Sequence, residues 1–174
     1  MSTERVIVHK RIADQLISAV KDLCSGLKAG DVVNDSSVKL GSLFAESSAD
    51  NVIGMIQDAS KNGAEVILGD AARHKGVLQP HLVLGVKPGM RLWDRETFGP
   101  VVVFATVEST DEAVELANAS EYSLSASLWT SDLYAAQTIA SRIRSGMAHG
   151  LPFFLNFLIV LSRDHQHQRP HHSR

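Results

Sequence analysis

The sequence predicts an α/β layer structure. Strand-like apolar runs alternate along it with segments of helical periodicity. The run Val101–Val107 is apolar on both faces, which suits the centre of a sheet covered on both sides. The 174 residues, 44% of them apolar and 21% charged, are enough to bury a real core.

The elements follow in order. Val6, Ile7 and Val8 predict a strand. Ile12, Leu16, Val20, Leu23 and Leu27 recur at helical spacing, and Gly26 or Gly30 can end that helix. Residues 30–43 are the longest unpatterned stretch. Ala49, Val52, Ile53, Ile56 and Ala59 mark a second helix, with Ser47 or Ser48 as its cap and Gly63 at its end. Residues 65–69 and 82–84 read as short strands before Val101–Val107. Ser109 and Glu112 form a capping box for a helix carrying Val114 and Ala117. Residues 123–128 alternate as a half-buried strand does. Asp132 opens a last helix, with Leu133, Ala136, Ala140 and Ile143 on one face and Gly146 as its expected stop.

Seventeen basic residues against nineteen acidic ones give a net charge of −2, which makes no whole-chain case for a nucleic-acid partner. The one cysteine, Cys24, cannot form an internal disulfide and fits a reducing compartment. The N-terminus lacks the apolar stretch of a secretory signal, so the expected location is cytoplasmic. Composition changes at residue 150. Residues 151–161 are aromatic and aliphatic, too short to span a bilayer. A tail with His165, His167, His171 and His172 follows. The expectation for residues 150–174 is a disordered segment unrelated to the rest, with no metal site.

The chemical inventory is thin. There is no Gly-x-Gly-x-x-Gly, Walker loop, Cys-x-x-Cys or His-Glu-x-x-His. Cys24 reads as a structural thiol on a helix. His9, His74, His81 and His149 are scattered and read as structural or exposed. One segment carries a ligand-binding pattern: Trp93-Asp-Arg-Glu96-Thr97-Phe98-Gly99-Pro100-Val101. Glu96 can accept from paired hydroxyls, as on a ribose, and Phe98 can pack against a flat ring. The equally weighted alternative is a surface turn in which Glu96 is solvated and Phe98 is core.

At that segment the chain resembles the aldehyde dehydrogenase superfamily. Residues 5–9, Gly41 with Val52, Gln79-Pro80, residues 96–101, Asp111-Glu112-Ala113, Leu116-Ala117-Asn118, residues 122–126, Trp129-Thr130 and Ser145-Gly146 fall in the family's order and spacing. Its aromatic-aldehyde members, acting on salicylaldehyde or vanillin, look most similar. The resemblance implies that Glu96 bonds the nicotinamide ribose and that Phe98 packs beside the nicotinamide of NAD or NADP. Family chemistry begins with a cysteine thiolate attacking an aldehyde substrate. Hydride then passes to the cofactor, and a glutamate-activated water releases the acid.

The resemblance also implies what this chain lacks. The family's nucleophilic cysteine lies five residues before the arginine matching Arg5, one position ahead of Met1, so no catalytic residue is assigned here. The cofactor-binding half, the general base and the oxyanion asparagine likewise lie upstream in the family. Ser123 stands where many members have glycine, and Gly150 where an asparagine is expected. The resulting expectation is a partial catalytic domain, residues 1–149, with a layered sheet and helices on both faces, truncated at both ends and inactive alone. The alternative is a short non-catalytic protein. It would bind a full-length relative through its sheet, or a membrane surface through residues 151–161.

Overall fold

The structure, a computed structural model, describes residues 2–121, 125–152 and 158–163. The elements are β1 (Ser2–His9), α1 (Lys10–Ser25), α2 (Glu46–Lys61), β2 (Glu65–Leu68), β3 (Arg73–His74), β4 (Val77–Leu78) and β5 (His81–Leu84). After them come α3 (Arg91–Asp94), β6 (Val101–Val107), α4 (Thr110–Asn118), β7 (Ser125–Thr130), α5 (Leu133–Ala140), β8 (Met147–Pro152) and β9 (Leu158–Arg163). Among the described residues, seven strands make one sheet in the order β2-β5-β6-β1-β9-β7-β8, and β3 pairs with β4 separately. Strands β1, β5 and β6 are parallel, as are β7 and β8. Strand β2 is antiparallel to β5, and β9 is antiparallel to both of its neighbours.

Alternation along β1 divides the core. Ile7 joins an apolar cluster with Val52 and Ile56 of α2, Trp93 of α3, Ala113 and Ala117 of α4, and Ile139 of α5. Val6 and Val8 face the other way, into a cluster with Phe104 and the Ala13, Leu16 and Val20 stripe of α1. Helices therefore cover both faces of the sheet, as the sequence predicts. Strand β6, apolar on both faces, lies between β5 and β1 near its centre.

Several local expectations meet a different outcome. Helix α2 starts at Glu46 with Ala45 at its cap and no side-chain cap bond. Its first turn is tied instead by Arg73, whose guanidinium reaches Glu46 at 2.9 Å and Asp50 at 2.5 and 3.0 Å. Helix α5 stops at Ala140, well short of Gly146. Asn118 diverts the chain there: its Oδ1 accepts from the Arg144 amide at 2.7 Å and its Nδ2 donates to the Arg142 carbonyl at 2.9 Å. The capping box at Ser109 is present, with Ser109 Oγ accepting from the Glu112 amide at 3.2 Å. The returning Glu112 carboxylate accepts from the Glu108 amide at 2.8 Å, one residue before the cap.

Where the structure describes the tail, it departs from the expectation of disorder. Gly150, Leu151 and Pro152 complete β8, and residues 158–163 form β9 inside the sheet. The physical reason is backbone pairing: two strands on either side of a gap have rows of amides and carbonyls that need partners. Among the described residues, no helix is long and apolar enough to cross a membrane. The four tail histidines, and residues 123 and 124 of the strand expected over 123–128, lie outside the described residues.

His81, at the start of β5, is a structural histidine with no exposure. Its Nδ1 lies 2.7 Å from the Gln79 carbonyl, and its Nε2 lies 2.9 Å from the Ala71 amide. The amide can only donate, so Nε2 accepts and the ring is neutral. Burial holds its pKa below the usual 6.5, outweighing the Gln79 carbonyl and Asp70, which pull it up. A histidine depressed in the folded state binds its proton more readily when unfolded. Its contribution is therefore present above the unfolded pKa and lost as pH falls below it. The urea midpoint should drop on going from about pH 7.5 to about pH 5. His81→Gln, neutral throughout, should lose that part of the slope; an unchanged slope would contradict the assignment.

Candidate functional site

The loop at residues 95–100 joins α3 to β6. Val101 stands opposite His81, and Arg5 opposite Val103. The loop therefore lies at the amino ends of β5, β6 and β1. This is the other end of the sheet from the carboxyl-end crevice usual in open α/β folds.

Thr97 anchors the loop. It is 3% exposed, and its Oγ1 accepts from the Gly99 amide at 3.2 Å while standing 3.5 Å from Glu4 Oε1. Gly99 and Pro100 are fixed in turn. The Gly99 carbonyl accepts from the Val101 amide, and the Pro100 carbonyl from the His81 amide, both at 2.8 Å. A Cβ at Gly99 would come 3.0 Å from Val52 Cγ2, so the loop lies close against α2.

The two sequence-predicted residues flank that anchor. Phe98 is 56% exposed, which removes the reading of it as core. Its φ is +53°, a left-handed conformation that costs a non-glycine residue about 1–2 kcal/mol. The bonded neighbours hold the ring out at that cost. Glu96 is half-buried. Among the described residues, no hydrogen bond or ion pair engages its carboxylate. The structure thus brings Glu96 and Phe98 together on one anchored turn.

The sequence motifs include Trp93 and Arg5 but predict no supporting role for either. Trp93, on α3, has no exposure, and its Nε1 donates to the Ala119 carbonyl at 3.2 Å. Arg5, 1% exposed on β1, places its guanidinium carbon 5.2 Å from the Trp93 ring centroid. Glu4 beside it is 6% exposed. The available signal was an adjacent charged pair, Glu4-Arg5, entering an apolar strand. Gln79 is also structural: its side-chain amide accepts from the Ala29 amide at 3.0 Å and donates to the Ala29 carbonyl at 3.1 Å. That clamp fastens the long loop before α2 to the sheet.

Cys24 lies apart from this turn. It is half-buried on α1 and lines a shallow depression of about 290 Å³ with Leu27, Leu68, Gln79 and Pro80. Burial pushes its thiol pKa up, against nucleophilic use. A second depression, about 490 Å³, is lined by Gly89, Arg91, Asp94, Arg95, Ala119, Ser120 and Glu121, without Glu96 or Phe98. His9 caps α1, its Nδ1 accepting from the Arg11 amide at 3.2 Å, and His74 is exposed. Among the described residues, no group of three His, Cys, Asp or Glu side chains could hold a metal ion.

The sheet, covered on both faces, carries a carboxylate and an aromatic ring on an anchored Gly-Pro turn. The model of the aldehyde dehydrogenase family matches residues 1–150, and the chain belongs to that family. It is 38% identical over 149 residues to the vanillin dehydrogenase of Pseudomonas fluorescens, covering 86% of this chain and 30% of that enzyme. The crystal structure of succinate-semialdehyde dehydrogenase from Burkholderia pseudomallei superposes with a TM-score of 0.78 at 32% identity, over 86% of this chain and 32% of that one. NADP-dependent glyceraldehyde-3-phosphate dehydrogenase from Bacillus halodurans, complexed with NADP, gives 0.79 at 35% identity, over 84% and 30%. The chain thus spans about 30% of the length of the relatives it matches.

Proposed function

We propose that residues 1–149 supply the nicotinamide-ribose end of a dinucleotide site, as part of an NAD(P)⁺-dependent oxidation of an aldehyde to a carboxylic acid. The observation that carries this reading is the turn itself: buried Thr97 anchors it between an exposed Phe98 and a half-buried Glu96 with an unengaged carboxylate. Vicinal ribose hydroxyls are donors that a carboxylate can accept together. An exposed ring offers a face for a flat heterocycle. The donor set fits that end of the cofactor alone, since the sequence has no glycine-rich phosphate cradle. When bound, NAD(P)⁺ supplies the hydride acceptor. Glu96 holds the ribose, Phe98 limits the ring's freedom, and Thr97 fixes both.

On this reading the nucleophile stands just ahead of β1. In support, the first residues of β1 lie beside this turn, with Glu4 Oε1 3.5 Å from Thr97 Oγ1. Residues 1–174 by themselves are inactive on this reading, because Cys24 is remote from the turn and a raised pKa keeps it protonated. The relatives above act on chemically different aldehydes, so the substrate class is stated no more narrowly.

The test is a chimera. Residues 2–149 replace the matching segment of the Pseudomonas fluorescens vanillin dehydrogenase, and aldehyde-dependent formation of reduced cofactor is followed. The chimera should turn over, and residues 1–174 alone should not. In the active chimera, Glu96→Gln weakens charged hydrogen bonds worth about 1.5–3 kcal/mol, so kcat/KM for the cofactor should fall roughly 10- to 100-fold. Aldehyde KM should change little. A Glu96→Gln chimera with parental cofactor kinetics would refute the assignment.

A further inference from the structure

We propose that Leu158–Arg163 is a complementing strand supplied in cis. It lies outside the family-matched residues, fills a strand-wide slot between β1 and β7, and thereby positions the turn that carries Glu96 and Phe98. The inference is independent of what that turn binds.

The first observation is placement. The family match ends at residue 150, yet β9 stands inside the sheet, with five register pairs to β7 and six to β1. The second is direction. Strands β5, β6, β1, β7 and β8 share one sense, and β9 alone runs against its two neighbours between them. The third is spacing. Val6 and Ser127 both face Val160, and Ile7 and Leu128 both face Ile159. β1 and β7 are therefore aligned but two strand spacings apart, about 9.5 Å, beyond any direct hydrogen bond. Without an inserted strand, both would present unpaired backbone in the middle of the sheet.

The segment suits that slot. Leu158-Ile159-Val160-Leu161 is a continuous apolar run, the pattern of a strand covered on both faces. The connection is also long enough to be made within one chain. Pro152 of β8 faces Thr130, and Leu158 faces Trp129, so the chain only has to step across β7. The gap is about 9.5 Å, and residues 153–157 can span up to about 20 Å.

The link to the turn runs through a bulge. Thr3 faces Ser162 but Arg5 faces Leu161, so Glu4 is the extra residue of β1 against β9. Glu4 is the same residue that meets Thr97. Pairing with β9 thus sets the bulge that places the Glu4 carboxylate under the turn. Leu158–Arg163 is thus a positioning segment for Glu96 and Phe98.

The experiment uses the full chain with Cys24→Ser and the pair Val6→Cys and Val160→Cys. Mild oxidation should give a disulfide within one chain. The mis-registered pair Val8→Cys and Ser162→Cys should give none. A second variant, Val160→Pro, removes a ladder donor from the middle of β9. Amides 6–8 and 126–129 should then exchange at least roughly tenfold faster, with smaller changes in β2 and β5. Cross-linking only between chains would put a second copy's strand in the slot and overturn the proposal. No cross-link at Val6 and Val160, or unchanged exchange in Val160→Pro, would also overturn it. Should Val160→Pro fail to fold, the cross-link alone decides.

Discussion

Trp93→Ala should cost about 3–5 kcal/mol, a large share of the roughly 5–15 kcal/mol that holds a domain folded. Three losses coincide at this residue. The indole has no exposure, so its removal leaves a cavity in the larger core cluster. The Ala119 carbonyl loses the donor that lies 3.2 Å away. The Arg5 guanidinium, 5.2 Å from the ring centroid, loses the face it rests on. Trp93→Phe restores part of the volume without the N–H, so it should recover part of the stability. The measurement is the urea midpoint of parent, Trp93→Phe and Trp93→Ala. A Trp93→Ala chain within about 1 kcal/mol of parent would mean that the site region collapses around the deletion without cost.

Gly69→Ala should cost at least about 3 kcal/mol for two separable reasons. The backbone there has φ +102°, a conformation open to glycine and strained for alanine. A Cβ would also overlap the imidazole of His81, which is fully buried and bonded on both nitrogens. The neighbours cannot shift cheaply, because that ring ties the Ala71 amide to the Gln79 carbonyl. The two causes come apart in a double-mutant cycle. Gly69→Ala in a His81→Ala background removes the overlap and keeps the strain. Its increment should be smaller by about 1–3 kcal/mol than in the parent. Equal increments in both backgrounds would show that His81 is not what the methyl meets.

The fold was legible where one physical signal dominates. Val101–Val107 is observed with the bounds its apolar run predicts, and the Ser109 cap is made as its spacing requires. The misses have a common cause: long-range side-chain bonds override local punctuation. Ser47 and Ser48 offered caps, yet Arg73, far along the chain, ties the first turn of α2. Gly146 offered a helix stop, yet Asn118 captures the backbone at Arg142 and Arg144 first. In the candidate site, Glu96 and Phe98 could be proposed from sequence because a carboxylate and an aromatic ring beside a Gly-Pro turn make a local pattern. Arg5, Trp93 and Thr97 could not, because a residue that acts by being buried gives no local pattern. The strand at residues 158–163 was not predicted for a related reason. Composition marks residues 151–174 as foreign to the rest, but a slot between two strands accepts any apolar segment of the right length.

That topology also dictates an order of events during synthesis. Among the described strands, β1 is synthesised before both of its neighbours: β6 is about a hundred residues later and β9 later still. Elongation at roughly 5–20 residues per second leaves β1 with both edges unpaired for several seconds. Such distant pairings also fold slowly once the chain is free. A holdase that shields extended apolar segments should therefore raise the yield of folded chain more than any stabilising change in α1.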